Sequence, residues 1–324
     1  MWHETAHRLA ILELLQKGTL QKRTAQADAW RELLALGWAR RTSRQDELAI
    51  VPAFRTTLEQ VLDSCWTDWR AVQQDLANRG LPPTDGGLRA LRSQQRVVGA
   101  DSLPLRLNQR TAASMLAEHS KSRLGEAAQQ RLQASEVTSD YVVRMRGCRG
   151  LSLHRDGVKY DAALLEQIQG ELVLSERALL DGTTLCGTPS ALLLVENVGP
   201  FVDLTPLPGW LLVHVPGWHT QGAKRLFEMI PNVPTLHFGD FDPEGLQIYC
   251  HLRRARPNLS WVVPDWIADY LPSHGLATAW PDPELLTEAP GLVQQLAMQG
   301  RWIEQEALVF DERLWPLLRG LAGV

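Results

Sequence analysis

Apolar positions recur with helical spacing through the first third of the chain, then give way near Pro189 to short unbroken apolar runs. Residues 4–16 place Leu9, Ile11, Leu12 and Leu15 at helical intervals, and Gly18 ends the run. Residues 24–36 repeat the pattern with Ala25, Ala29, Trp30, Leu33 and Leu34, followed by Gly37. A polar turn from Trp38 to Arg44 and the run Leu48–Val51 then predict a two-stranded ribbon. Helices followed by a ribbon are the order of a winged helix-turn-helix, a module that binds DNA or docks onto protein partners. Residues 56–80 predict one further helix carrying Leu58, Val61, Leu62, Trp66, Trp69 and Val72. The stretch 80–104, opening Gly80-Leu-Pro-Pro-Thr-Asp-Gly-Gly, reads as a loop or linker. A helical, basic region follows at 108–133, and Tyr141–Arg146 reads as a strand. Arg144, Arg146 and Arg149 form either a phosphate-facing row or a solvated edge, since alternate strand residues share a face.

From Pro189 the chain alternates strands and helices, the signature of a parallel sheet with crossover helices. Ala191–Val195 is a buried-type strand ending in Glu196-Asn197, and Leu211–Val215 is a second. It leads through Pro216-Gly217 into a helix over 223–230. Pro234–Phe238 is a third strand, ending in Gly239-Asp240-Phe241-Asp242-Pro243-Glu244-Gly245, with another helix directly after it. Acidic residues therefore stand at the C-terminal ends of two strands, where open parallel sheets place their sites. Asp240 and Asp242 are two apart and project from one side of extended chain, and Glu196 converges on them from the neighbouring strand. Three gathered carboxylates repel unless a cation neutralises them, and hard oxygen ligands with room for water suit Mg²⁺, with Mn²⁺ as a substitute. Phe241 is expected to point away into packing.

Charge sharpens this picture. The net charge is −4 over 324 residues, yet residues 1–190 hold 25 Lys and Arg against 22 Asp and Glu, and residues 191–324 hold 8 against 15. Residues 104–155 alone carry nine basic and four acidic residues. An acidic half beside a mildly basic one suits an enzyme with a cation at its centre and phosphate contacts around it. Cysteines at 65, 148, 186 and 250 stand singly, which argues for a reducing compartment and against structural zinc. The opening Met1-Trp2-His3-Glu4 lacks a signal-peptide layout, and no run nears the roughly 18 apolar residues of a membrane span. A cytoplasmic protein without membrane contact is expected.

At these motifs a resemblance emerges. Val195-Glu196-Asn197, the segment PGWHTQGAKRLF at 216–227 and GDFDPEGLQI at 239–248 resemble a Toprim domain, the metal-binding fold of topoisomerases, bacterial primases and several nucleases. Their spacing is most similar to the branch holding the A subunit of topoisomerase VI and the Wadjet JetD family. Gly300–Glu306 resembles that family's Glu-Gln-Glu segment. The resemblance is strong over about 190–310 and only architectural before that. It implies an α/β Toprim domain at 186–324, preceded by a winged-helix domain at 1–80, a linker at 81–104 and a second basic, winged-helix-like region at 105–185. It further implies a nuclease subunit that cuts circular plasmid DNA beside an SMC ATPase, a kleisin and a kleisin-associated subunit. Glu196, Asp240 and Asp242 match the metal ligands, and Glu196 matches the general acid/base. Glu304 and Glu306 match the Glu-Gln-Glu segment, with a second-metal or structural role. Lys224 is a candidate phosphate contact beside Arg144, Arg146 and Arg149, as are Arg40 and Arg41 in the first ribbon.

Topoisomerase VI A subunits cut with a tyrosine placed before the Toprim domain. Tyr141 and Tyr160 alone precede the acidic motifs here, and neither sits in that family's tyrosine setting. Hydrolysis is therefore expected over transesterification, and a non-catalytic DNA-binding adaptor is the remaining alternative. The chain has no phosphate-binding GxxxxGK[ST] loop, so ATP use belongs to a partner. Cutting both strands needs two centres, which implies a homodimer.

Overall fold

Gly18 adopts φ 74°, a left-handed conformation that an L side chain resists, and its amide closes the helix Thr5–Lys17 onto the Leu14 carbonyl. The turn it makes sends Thr19–Gln21 back as a strand. In this computed structural model, which describes residues 2–96, 103–133, 135–280 and 283–323, that strand joins the expected ribbon. The result is a three-stranded antiparallel sheet with Glu47–Ile50 between Thr19–Gln21 and Ala39–Arg41. Leu9, Ile11, Leu12 and Leu15 are all buried, as their spacing predicts. Glu13 is buried with them and held by ion pairs to Lys17 (3.1 Å) and Arg23.

The single helix expected over 56–80 is two, Arg55–Cys65 and Trp69–Asn78. Trp66 leaves helical geometry between them, and Asp63 accepts from the Trp69 indole at 2.8 Å across the break. The expected linker holds the helix Asp85–Arg96, whose Leu88 and Leu91 join the core around Leu9; residues 97–102 of that stretch lie outside the described residues. The Thr84 hydroxyl starts this helix by accepting from the Gly87 amide at 3.0 Å. A side chain at Gly87 would overlap the Pro82 carbonyl, so that glycine serves a close approach within a packed helix, not a flexible loop. A small core of Leu107, Ala112, Leu116, Ala128 and Leu132 follows.

The chain divides into two compact units, 1–139 and 140–324. The division falls before Tyr141, not at 185/186, because the strand there belongs to the sheet of the second unit. That sheet has six strands: β1 Val142–Arg146, β2 Leu172–Ser175, β3 Ala191–Val195, β4 Trp210–His214, β5 Thr235–Phe238 and β6 Leu259–Trp261. Their spatial order is β6-β5-β3-β4-β1-β2. β3 to β6 are parallel, whereas β1 runs antiparallel to β4, and β2 antiparallel to β1. The parallel strands are joined by helices α1 Val198–Asp203, α2 Gln221–Met229 and α3 Pro243–Ala255. All five residues of β3 are fully buried, since neighbours and covering helices leave a central parallel strand no wet face. Leu193→Ala is therefore expected to lower the stability of this unit by about 2–5 kcal/mol, measured as a shift of its denaturant midpoint. Among the described residues, no helix is long and apolar enough to cross a membrane.

Candidate active site

Glu196 follows β3 and is pinned by the sheet itself. Its amide donates to the Phe238 carbonyl of β5 at 3.0 Å, and the Val215 amide donates to the Val195 carbonyl at 2.9 Å. The carboxylate is thereby fixed, buried, at the C-terminal edge of the central strand, and its Oε2 has no hydrogen-bond partner. His237, the next-to-last residue of β5, is fully buried, with neither ring nitrogen partnered and Nε2 3.8 Å from Glu196 Oε2. Gly239 makes room for both, as a β-carbon there would lie 2.6 Å from His237 Nε2 and overlap Glu196 Oε2.

Asp240 is held from two directions. The Gln305 backbone amide donates to Oδ1 at 2.8 Å, and the Asn197 side-chain amide donates to Oδ1 and Oδ2 at 3.2 and 3.1 Å. The same Asn197 nitrogen lies 3.1 Å from Glu306 Oε2, so one amide ties Asp240 to the Glu-Gln-Glu segment. Phe241 locks that segment down. Its amide donates to the Ile303 carbonyl at 3.0 Å, and its buried ring stacks on Trp261, pointing into packing as expected. Asp242 caps α3, accepting from the Gly245 amide at 2.6 Å with Pro243 in the first turn. A methyl group on Gly245 would overlap the Asp240 carbonyl oxygen. Gly245→Ala is expected to destabilise the unit by about 1–3 kcal/mol, seen as a lowered thermal midpoint.

Burial and crowding shift these acids together. Glu196 is pushed up to about 8, by burial first and then by Asp240 and Asp242. Asp240 is pushed up to about 6 by burial, with the Gln305 and Asn197 amides pulling down and Glu306 and Asp242 pushing up. Burial also raises Asp242, while it drives His237 down to about 3 and keeps it neutral.

Whether a cation fits follows from these details. Among the described residues, no three His, Cys, Asp or Glu side chains form a cage able to hold a metal alone. Mg²⁺ does not require one: it keeps several waters and binds through one or two carboxylates plus substrate phosphate. An unpartnered buried carboxylate oxygen on Glu196, beside a second carboxylate whose proton affinity is raised, meets that lesser demand.

The other candidates are placed differently. Glu306 joins the site through Asn197, whereas Glu304 is exposed at the start of the turn and outside this network. Lys224 Nζ sits 2.7 Å from His251 Nε2, and Arg225 pairs with Glu228. Arg144 and Arg146 are each engaged within the protein. Arg144 pairs with Glu171 at 2.9 Å and lies over the Phe201 ring, and Arg146 donates to the carbonyls of Phe201, Val202 and Leu204 at 2.7–2.9 Å, closing the end of α1. Strand alternation gave their facing but not these partners. Arg149 is exposed in the following turn, and Arg40 and Arg41 are exposed on their strand. Asn197 and Gln305 are the site residues that sequence reasoning missed.

Residues 161–265 match the family model described as Wadjet protein JetD, C-terminal. The chain carries a JetD C-terminal domain. No curated protein matches the chain. The JetD match spans β2 to β6 and so includes Glu196, Asn197, Asp240 and Asp242. Gln305 and Glu306 lie beyond the matched JetD residues, as does the whole first unit.

Proposed function

We propose that this protein is a Toprim-type, metal-dependent DNA endonuclease, the nuclease subunit of a Wadjet complex that cleaves circular plasmid DNA. The observation that carries this is the pair of carboxylates, buried Glu196 and half-buried Asp240, at the ends of adjacent parallel strands, with the Glu196 Oε2 unpartnered. The JetD match supplies the system. Glu196 and Asp240 would hold Mg²⁺ or Mn²⁺, with Asp242 and Glu306 alongside. When bound, such an ion polarises a phosphodiester and lowers the pKa of its water. Asn197 and the Gln305 amide fix the direction of the Asp240 carboxylate. Asp242 and Pro243 set the start of α3, and neutral His237 walls the inner side of Glu196 without adding charge. Without the ion, burial and the neighbouring acids raise the proton affinity of Glu196, so metal loading would compete with protonation at this carboxylate.

The helix and strand order of residues 5–50 supports a winged helix for DNA or partner docking. An SMC ATPase, a kleisin and a kleisin-associated subunit supply ATP-driven handling of DNA in a cytoplasmic assembly. Two copies of this chain place one centre on each strand. The test compares wild type with Glu196→Ala on circular and linear DNA, with Mg²⁺ or Mn²⁺ and the partner complex present. Wild type is expected to cut and the variant not to. Equal cutting by both sinks the assignment, and protein left covalently on DNA ends establishes a tyrosine transesterase instead.

A further inference from the structure

Outside the acidic site, one cleft of the first unit carries only positive charge among its ionisable lining residues. The strand Arg106–Asn108 runs directly into the helix Gln109–Leu116, with Asn108 accepting from the Arg110 amide at 2.8 Å. The loop after this helix folds back over residues 117–125 before Glu126–Arg131 forms the next helix. Between loop and helix lies a cleft of about 540 Å³. Arg110, Lys121 and Arg123 line it, with Gln109, Ser122 and Gln129 among its other polar groups, and no acidic residue does.

Neighbouring charges are already committed. Arg106 pairs with Glu136 at 2.7 Å, Arg131 donates to Gln94 at 2.6 Å, and Glu118 accepts from the Thr84 hydroxyl. Glu118 and Glu126 line a separate cavity, which Arg123 also borders. Among the described residues, the side chains of Arg110, Lys121 and Arg123 are exposed and take part in no ion pair or hydrogen bond. Three like charges around one cleft repel in the empty protein, and an entering polyanion removes that repulsion. Exposed cations bind a polyelectrolyte through release of its condensed counterions, a gain that small anions do not offer. Serine and glutamine side chains supply the neutral donors that accompany such phosphate contacts.

The geometry points to this cleft as a phosphodiester-backbone site for DNA, formed by Arg110, Lys121 and Arg123. It rests on the proposed function for the identity of the polyanion and names the surface that holds it. Arg144 and Arg146 of the second unit are, by contrast, engaged within the protein.

The test measures binding of a fluorescent duplex to the full-length chain, without added metal, between 50 and 200 mM salt. The triple variant Arg110→Gln, Lys121→Gln, Arg123→Gln is expected to bind at least about 10-fold more weakly at low salt, with a log–log salt slope reduced by about 2–3. Unchanged affinity and slope overturn the inference. Displacement of the duplex from wild type by equimolar pyrophosphate also overturns it, marking a small-anion site. If the triple variant unfolds, Lys121→Glu alone is expected to weaken binding several-fold at low salt, and its failure to do so is equally decisive. A double variant, Glu196→Gln with Asp240→Asn, separates this inference from the nuclease assignment. Retained binding with lost cutting supports both; cutting that survives in the double variant removes the nuclease site and leaves the cleft to be judged by the triple variant.

Discussion

Asp240→Asn is expected to reduce metal-supported DNA cleavage on the order of 10³-fold, the scale for losing one pre-oriented charge at a reacting centre. The size of the effect follows from how the residue is held. Two donors, the Gln305 amide and the Asn197 side chain, already point at its carboxylate, so the charge arrives oriented and needs no reorganisation. An asparagine keeps the volume but puts an NH₂ group where one of those donors must be received. Single-turnover cleavage of a circular plasmid by the assembled complex, with Mg²⁺ at saturation, reads the loss. Asn197→Ala should lose less, about 10- to 100-fold, because it removes the support of the carboxylate and not the carboxylate itself. An Asp240→Asn protein that cuts within a few-fold of wild type would show that the metal-binding charge lies elsewhere.

Glu196→Gln is expected to do the opposite for stability. The folded protein holds the Glu196 proton up to about 8, whereas an ordinary glutamate releases it near 4.5. The folded state therefore binds more protons than the unfolded state between these values, and stability falls as pH rises through that window. Stabilisation by the neutral acid is fully present below about 4.5 and is lost as pH rises through about 8. A glutamine cannot ionise, so the metal-free variant should match wild type near pH 4.5 and exceed it by a few kcal/mol, of order 3, at pH 8. Thermal melts in EDTA across this range measure the divergence. Mg²⁺ added at pH 8 should raise the wild-type midpoint and leave that of the variant nearly unmoved. Parallel curves at every pH would show that Glu196 is not strained in the folded state.

Much of the second unit was legible because its signals were local. Leu192, Leu193 and Leu194 in sequence leave no polar face, and so short a run flanked by Pro189 and Gly199 suits a strand buried on both sides, at whose edge the acid directly after it must sit. The first unit was less open to this kind of reading. Gly86-Gly87 reads as loop, yet Gly87 is required by the nearby Pro82 carbonyl inside a helix. Trp66 looks like one more apolar position on a long helix, although Asp63 and the Trp69 indole make it a corner. Arg144 and Arg146 show the limit most clearly: periodicity tells which way a side chain faces and nothing about what waits there. Asn197 and Gln305 were invisible for a related reason. A neutral amide signals no chemistry, and Gln305 acts on Asp240 through its backbone N–H, which every non-proline residue possesses.

The bond from Gln305 to Asp240 spans 65 positions of the chain. During synthesis at about 5–20 residues per second, Asp240 is joined several seconds before its partner exists. The strands that carry Glu196 and Asp240 can pair in that interval, but the Phe241–Ile303 bridge and the Asn197–Glu306 contact cannot. A nascent chain whose central strands paired in that interval would hold its acids without these contacts. If the proposed nuclease function holds, a chain at that stage is expected to lack cleavage activity, because the contacts that orient Asp240 have yet to be made.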